Sequence, residues 1–216
     1  MSTVITRSDS HEYTVGGRPF VGVTTVIGSV IRKPGLEKWI GELGNAEAER
    51  VRTKAATRGT LVHALAALVV EGVPSIPMGD EDAPAQAQLD AFTDWYEQYV
   101  AEVYAVELMV ANYPAQYAGA LDFLLRFKGD KEPTVVDVKS GKGLYREMNL
   151  QTSAYREATL PLLGDYGFTK KACRRGILHV PMDADGPARF HEHTNHTQDY
   201  GAFLACLHLY RYLRGV

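Results

Sequence analysis

A single α/β domain, with a central mixed β-sheet flanked by helices, is the architecture this sequence encodes. Helical spacing of apolar residues dominates from about 22 to 104. Period-two alternation takes over in the sheet-and-helix stretch of about 105 to 193, and a last helical segment spans about 196 to 214. No repeat, low-complexity tract or linker interrupts residues 1–216, and a chain of 216 residues can bury one full core without a second domain.

The stretch HEYTVGGRPFVG reads as a hairpin turning at Gly16-Gly17. Thr24 or Thr25 is placed to cap a short helix ending at Ile31, before Pro34. Leu36 to about Glu71 is helical, with a break expected at Arg58-Gly59. GVPSIPMGDEDAP (72–84) is a loop, and Pro84 suits the start of a helix from Ala85 to Tyr104, whose Leu89, Phe92, Tyr96 and Tyr99 form an apolar stripe. Strands are expected at Ala105–Asn112, Tyr117–Phe127 and Thr134–Lys139, then a helix from Glu147 to Leu160. Two more strands, Arg175–Pro181 and Ala188–His193, flank an Asp-Ala-Asp-Gly turn, and His196–Leu213 closes the fold as a helix.

Composition is that of an ordinary globular protein, and no apolar run is long enough to cross a bilayer. The first ten residues, MSTVITRSDS, lack the apolar stretch of a signal peptide, so an intracellular, cytoplasmic setting and no membrane partner are expected. Cys173 and Cys206 lie far apart and read as reduced, buried thiols. A net charge of −3 gives no overall support for nucleic-acid binding. Local cation clusters remain as candidate contact patches or as plain solvated faces: Arg50, Arg52, Lys54 and Arg58; Lys139, Lys142 and Arg146; Lys170, Lys171, Arg174 and Arg175.

The most informative stretch is Tyr117–Lys139. Along YAGALDFLLRF, Leu121, Phe123, Leu125 and Phe127 share one face, and Ala120, Asp122, Leu124 and Arg126 share the other. In TVVDVK, Val136 and Val138 oppose Val135, Asp137 and Lys139. If the loop KGDKEP closes symmetrically, Asp122 stands opposite Lys139 with Asp137 as its diagonal neighbour, and the two apolar rows fall together on the other face, Leu121 and Phe123 beside Val136 and Val138. Such a trio suits a hard divalent cation such as Mg²⁺, which takes one or two carboxylates plus waters and substrate phosphate, polarises a phosphate and lowers the pKa of a bound water. Lys139 would orient or deprotonate that water, or neutralise charge on the phosphate. Taken alone, Asp-x-Lys is more commonly a solvated ion-pair ladder.

GALDFLLRF, VVDVKSGK, QTSAY at Gln151–Tyr155 and RGTLVH ending at His63 together resemble the PD-(D/E)xK nuclease superfamily. More narrowly they are similar to its RecB-type exonuclease branch with phage and mitochondrial members, over roughly Val21 to Ala158. The resemblance implies a restriction-endonuclease-like core. It implies Asp122 and Asp137 as metal-binding carboxylates, Lys139 as the catalytic lysine, the Val138 carbonyl and His63 as further metal contacts, and Gln151 and Tyr155 as catalytic-helix residues that support the lysine. Glu107 matches an acidic residue often found near the preceding strand. Leu121-Asp122 replaces the leading Pro-Asp. Mg²⁺ or Mn²⁺ is the implied cofactor. Two cysteines cannot hold the iron–sulfur cluster of some relatives, and no GxxxxGK[ST] loop signals a fused motor.

The activity so implied is hydrolysis of single-stranded DNA or DNA ends, as an exonuclease, with a recombination or replication protein as a possible partner. A structure-specific endonuclease, or a silent nucleic-acid-binding module, are the alternatives. Among the other histidines, His191, His193 and His196 form a tempting H-x-H-x-x-H run that three-ligand zinc chemistry could use, but nothing else nearby supports a closed site, and chance clustering at a strand end is the reading.

Overall fold

A computed structural model describes residues 4–8, 12–72, 83–170, 172–181 and 186–215. Residues 73–82 of the expected loop and 183–185 of the Asp-Ala-Asp-Gly turn lie outside the described residues. The strands β1 (Ile5–Arg7), β2 (Tyr13–Val15), β3 (Arg18–Gly22), β4 (Val100–Asn112), β5 (Tyr117–Phe127), β6 (Thr134–Lys139), β7 (Arg174–His179) and β8 (Arg189–Glu192) form one mixed sheet. Its order is β1-β2-β3-β5-β6-β7-β8, with β4 paired to β5. The helices are α1 (Val23–Val30), α2 (Pro34–Leu43), α3 (Asn45–Val70), α4 (Ala83–Tyr99), α5 (Glu147–Thr159) and α6 (His196–Arg214), with a 3-10 turn at Leu160–Tyr166. The mixed sheet flanked by helices is the expected class.

Both faces of the sheet are covered. Tyr117, Leu121, Leu124 and Val135 pack against α1, α5 and α6 through Val26, Ala154, Tyr155 and Phe203. On the opposite face Phe123, Leu125, Val136, Val138 and Leu178 pack against Phe92 and Trp95 of α4 and Ala66 of α3. The Gly16-Gly17 hairpin forms as expected, with φ of 55° and 80° at the two glycines, the conformation that matches strand twist in a tight turn.

Several boundaries differ from expectation, each for a local reason. The helical break falls at Gly44, not Gly59. Gly44 has φ 79°, which glycine alone adopts cheaply, whereas Gly59 continues α3. The helix expected to reach Tyr104 stops at Tyr99, because from Val100 the backbone is claimed by the ladder with β5, Val100 pairing Phe127 and Val103 pairing Leu125. Helix α1 begins at Val23, with Gly22 at its cap and no side-chain cap from Thr24 or Thr25. Strand β1 and the 3-10 turn after Thr159 were not expected, and β7 and β8 are shorter than expected by one and two residues respectively.

The β5–β6 register also differs. The pairs are Phe123 with Val136, Leu124 with Val135 and Leu125 with Thr134. Carried one step on, this sets Asp122 across from Asp137 rather than from Lys139. A one-residue slip would have turned Phe123, Leu125 and Val136 out of their core, at about 1.5–3 kcal/mol each. A two-residue shift leaves every residue on its face, so the hydrophobic pattern does not choose between the two registers. The connection does. The Arg126 guanidinium is drawn to Tyr104 and Glu102 on β4 and to the Asp130 carbonyl, so the loop opens earlier than the symmetric one.

Candidate active site

The site grows from a fork in the sheet. Strand β4 runs along one edge of β5, from Asn112 opposite Tyr117 to Val100 opposite Phe127. The other edge is shared: β3 pairs with Tyr117 and Ala118, and β6 pairs from Phe123 onward. Residues 119–122 lie in the gap. Buried backbone in such a gap needs other partners. The Ala120 backbone bonds the Tyr13 hydroxyl, and the Val138 N–H, which a continued ladder would aim at Leu121, donates to Asp122 Oδ2 at 2.5 Å. In an extended strand the Val138 carbonyl points to that same edge.

Alternation breaks here too. Leu121 packs with the α5 side while Phe123 packs with the α4 side, so the expected apolar row of Leu121 with Phe123, Val136 and Val138 loses Leu121. Opposite Asp122 on β4, Glu107 has φ 50°. A non-glycine residue held there costs of order 1–3 kcal/mol, and such strain concentrates at functional sites.

Asp137 is 3 % exposed and points to α5, where Gln151 Nε2 donates to its Oδ1 at 2.8 Å. The Lys139 ammonium ion-pairs with Asp137 Oδ2. Gln151 was expected to support the lysine; it holds the carboxylate instead, and Tyr155 stands behind it with its hydroxyl 3.3 Å from Nε2. Gln151 and Tyr155 share a helix face, as their i, i+4 spacing requires. Tyr155 also accounts for the glycine in GALD. A Cβ on Gly119 would run into Tyr155 Cε1, with Cδ1 at 3.1 Å and Cζ at 3.3 Å.

From the other side α3 delivers His63, whose Nδ1 lies 3.2 Å from Asp122 Oδ1. His63, Glu107 and Asp122 each offer a ligand atom within 4.8 Å of the others. The electrostatics are those of crowded carboxylates. Burial raises the Asp137 pKa and the Asp122 charge adds to it, against the pull of Lys139. Burial likewise raises Glu107, with Asp122 contributing. For Lys139 and His63 burial works downward, but the carboxylates outweigh it and hold both above their ordinary values. Several acidic groups and an imidazole in one partly buried recess, each favouring a nearby positive charge, fit a divalent cation. Of the eight expected site positions, seven, His63, Glu107, Asp122, Asp137, Val138, Lys139 and Gln151, lie together at this fork, and the eighth, Tyr155, stands one layer behind.

Gln88 was not anticipated. It is fully buried on α4, and its Nε2 donates to the carbonyls of Ser140 and Val180 at 3.2 Å each. It thereby ties the chain just after Lys139 to the end of β7. Its signal in the sequence is a polar residue inside the apolar stripe of Ala85, Leu89 and Phe92. The histidine run resolves into separate partners: His193 with Thr152 Oγ1 at 2.9 Å, His196 with Arg175 Nε at 3.0 Å, and His191 with the ring of His179 at 6.4 Å. Arg175 is fully buried and also pairs with Asp199, so it is no part of an open cationic patch. Both cysteines are free thiols, Cys173 buried and pushed up to about 12 by that burial, Cys206 half-buried. Among the described residues no helix is long and apolar enough to cross a membrane.

No protein-family model matches this chain, and no curated protein is similar to it in sequence. In structure it is similar to a protein from Eubacterium rectale named as a candidate exonuclease, with a TM-score of 0.51 at 9% identity over 73% of this chain and 68% of the other. At that identity the likeness is one of fold.

Proposed function

We propose that this chain is a metal-dependent deoxyribonuclease that hydrolyses phosphodiester bonds at DNA ends or in single strands. The observation that carries the reading is the convergence of Asp122, Asp137 and Lys139 at the β5–β6 fork with His63 and Glu107 beside them. Asp122, Asp137, His63, Glu107 and the Val138 carbonyl are the groups to hold Mg²⁺ or Mn²⁺. Once bound, the ion supplies a Lewis acid for the phosphate and lowers the pKa of water.

The protein's own part is positioning and charge. Lys139, held as an ammonium by Asp137 and Asp122, neutralises charge developing on the phosphate rather than removing a proton. Gln151 fixes the Asp137 carboxylate so that Oδ2 stays with Lys139. Water adds to phosphorus, the P–O bond breaks, and a phosphate and a hydroxyl end result. Lys54, Arg58, Lys142 and Arg146 have no carboxylate partner among the described residues and lie on α3 and the segment after Lys139. Those two elements touch where Gly59 faces Ser140 Oγ, which would lie 3.3 Å from a Cβ at that position, and they offer a phosphate track beside the site. An intracellular setting, the host cytoplasm if the chain is phage-encoded, and a recombination or replication partner accord with this reading.

The test is degradation of end-labelled single-stranded, duplex and circular DNA with and without Mg²⁺ or Mn²⁺. Metal-dependent loss of linear but not circular DNA supports an exonuclease; nicking of circles supports the endonuclease alternative. Asp122→Asn, Asp137→Asn and Lys139→Ala should each abolish cleavage while remaining folded. Full activity in any of these folded variants refutes the role given to that residue.

A further inference from the structure

At the opposite end of β5 and β6, at least about 10 Å along the strands from Asp137, lies a second cavity of about 480 Å³. Its walls are aromatic: Trp95 and Tyr99 from the end of α4, Phe127 from the end of β5 and Phe190 from β8. The rings brace one another, Trp95 edge-on to Phe127 at 5.8 Å and Phe127 tilted against Phe190 at 4.9 Å. Tyr99 is 47% exposed and offers an open ring face.

The charge around this cavity is uneven. Arg174 lies over the Phe127 ring and is neutralised twice, by Asp130 and by Glu192. Lys128 and Arg189, which also line the cavity, have no carboxylate partner among the described residues. The Lys128 ammonium donates only to the Glu97 carbonyl, at 2.6 Å. An aromatic-walled recess with two cations that no described carboxylate pairs fits a ligand that is flat at one end and anionic at the other. A purely apolar ligand would leave both cations unanswered, and a bare phosphate would leave the rings unused.

We infer that this cavity is a nucleotide-binding site, taking one base against its aromatic wall and the attached phosphate at Lys128 and Arg189. The nucleotide is either free or part of a single strand. The site is separate from the fork, and its occupancy needs neither metal nor hydrolysis.

Trp95 reports on it directly. In a Trp39→Phe background it is the sole tryptophan, since the chain has two. Titration in EDTA with dAMP should quench its fluorescence saturably, while deoxyadenosine and inorganic phosphate bind much more weakly. Tyr99→Ala should weaken dAMP binding roughly 5- to 150-fold, the span expected for one base–aromatic stack. Lys128→Ala with Arg189→Ala should weaken dAMP and leave deoxyadenosine unchanged. A six-nucleotide oligo(dA) that binds more tightly than dAMP identifies a strand-binding site; equal affinity identifies a mononucleotide site. Absence of saturable quenching by either probe at millimolar concentration overturns the inference, as does binding of deoxyadenosine as tight as that of dAMP. Because nothing is cleaved in EDTA, these results are independent of the activity proposed for the fork.

Discussion

Gly119→Ala adds one methyl group at a place where the structure has no room for it. The new Cβ would meet Tyr155 on three ring atoms, two of them at 3.1 and 3.3 Å and the third closer. Tyr155 is 3% exposed and its hydroxyl lies 3.3 Å from Gln151 Nε2, so the ring cannot retreat without disturbing the amide that holds Asp137. Gly119 does not have positive φ, so alanine meets no backbone penalty and the whole effect is steric. Overpacking of this kind costs about 1–3 kcal/mol. For a chain of this length that corresponds to a loss in Tm of roughly 2–12 °C.

The assay is thermal unfolding of the wild type, Gly119→Ala, Tyr155→Ala and the double variant. In the Tyr155→Ala background the methyl group has space, so Gly119→Ala should cost nothing there, and the cycle should show a coupling of at least about 1 kcal/mol. Single effects that add to within about 0.5 kcal/mol in the double variant would refute the packing argument.

Three further outcomes are expected. His63→Ala should raise the half-saturating metal concentration for cleavage, more for Mn²⁺ than for Mg²⁺, because an imidazole ligand favours the former; an unchanged metal titration removes His63 from the ligand set. Gln88→Met keeps the volume but leaves the Ser140 and Val180 carbonyls without their donor, which should cost about 1–3 kcal/mol in urea unfolding; an unchanged midpoint means these carbonyls find another. Burial and Arg175 push the His193 pKa down to about 4, from an unfolded value of 6.5. As pH falls below 6.5 the unfolded chain takes up a proton that the native state refuses, so the contribution of His193 to stability is complete above pH 6.5 and is lost progressively toward pH 4. The decline should be shallower in His193→Gln, and parallel Tm–pH curves would rule His193 out as its source.

The sequence was most legible where one local rule acts alone. Glycine chemistry placed the turn at Gly16-Gly17, and alternation placed β5 and β6 and put Phe123, Leu125 and Val136 on one face. The i, i+4 spacing aligned Gln151 with Tyr155. It failed where two solutions satisfy the same rule. Registers that place Asp122 opposite Lys139 or opposite Asp137 bury the same apolar side chains, and contacts from other segments, among them the grip of β4 on Arg126, accompany the one observed. Four glycines, Gly35, Gly41, Gly44 and Gly59, lie between Pro34 and Val70, and the one that breaks the helix, Gly44, is distinguished by a backbone conformation that composition does not reveal. Glu107 entered only through the family resemblance and Gln88 only as a polar residue inside an apolar stripe; the groups across from them, a carboxylate and two carbonyls, belong to other segments and could not be read from their neighbours.

The shared edge of β5 also bears on how the chain reaches its native state. The β4–β5 hairpin is a local structure, closed by the four residues 113–116 and running the length of β5 with two shifts of register. It can form early, because its loop is short and its ladder long. Strand β6 also joins β5 as a local hairpin, but the rest of the fork must cross greater stretches of chain: β3 pairs Val21 with Tyr117, α3 brings His63 to Asp122, and β7 joins β6 only after α5 has passed. Each of these closures carries a larger entropy cost. The β4–β5–β6 meander can therefore set Asp137, Val138 and Lys139 beside Asp122 early, whereas His63 reaches Asp122 only once α3 has docked and β3 has closed the other side of the gap. Competence of the fork and completion of the fold arrive together.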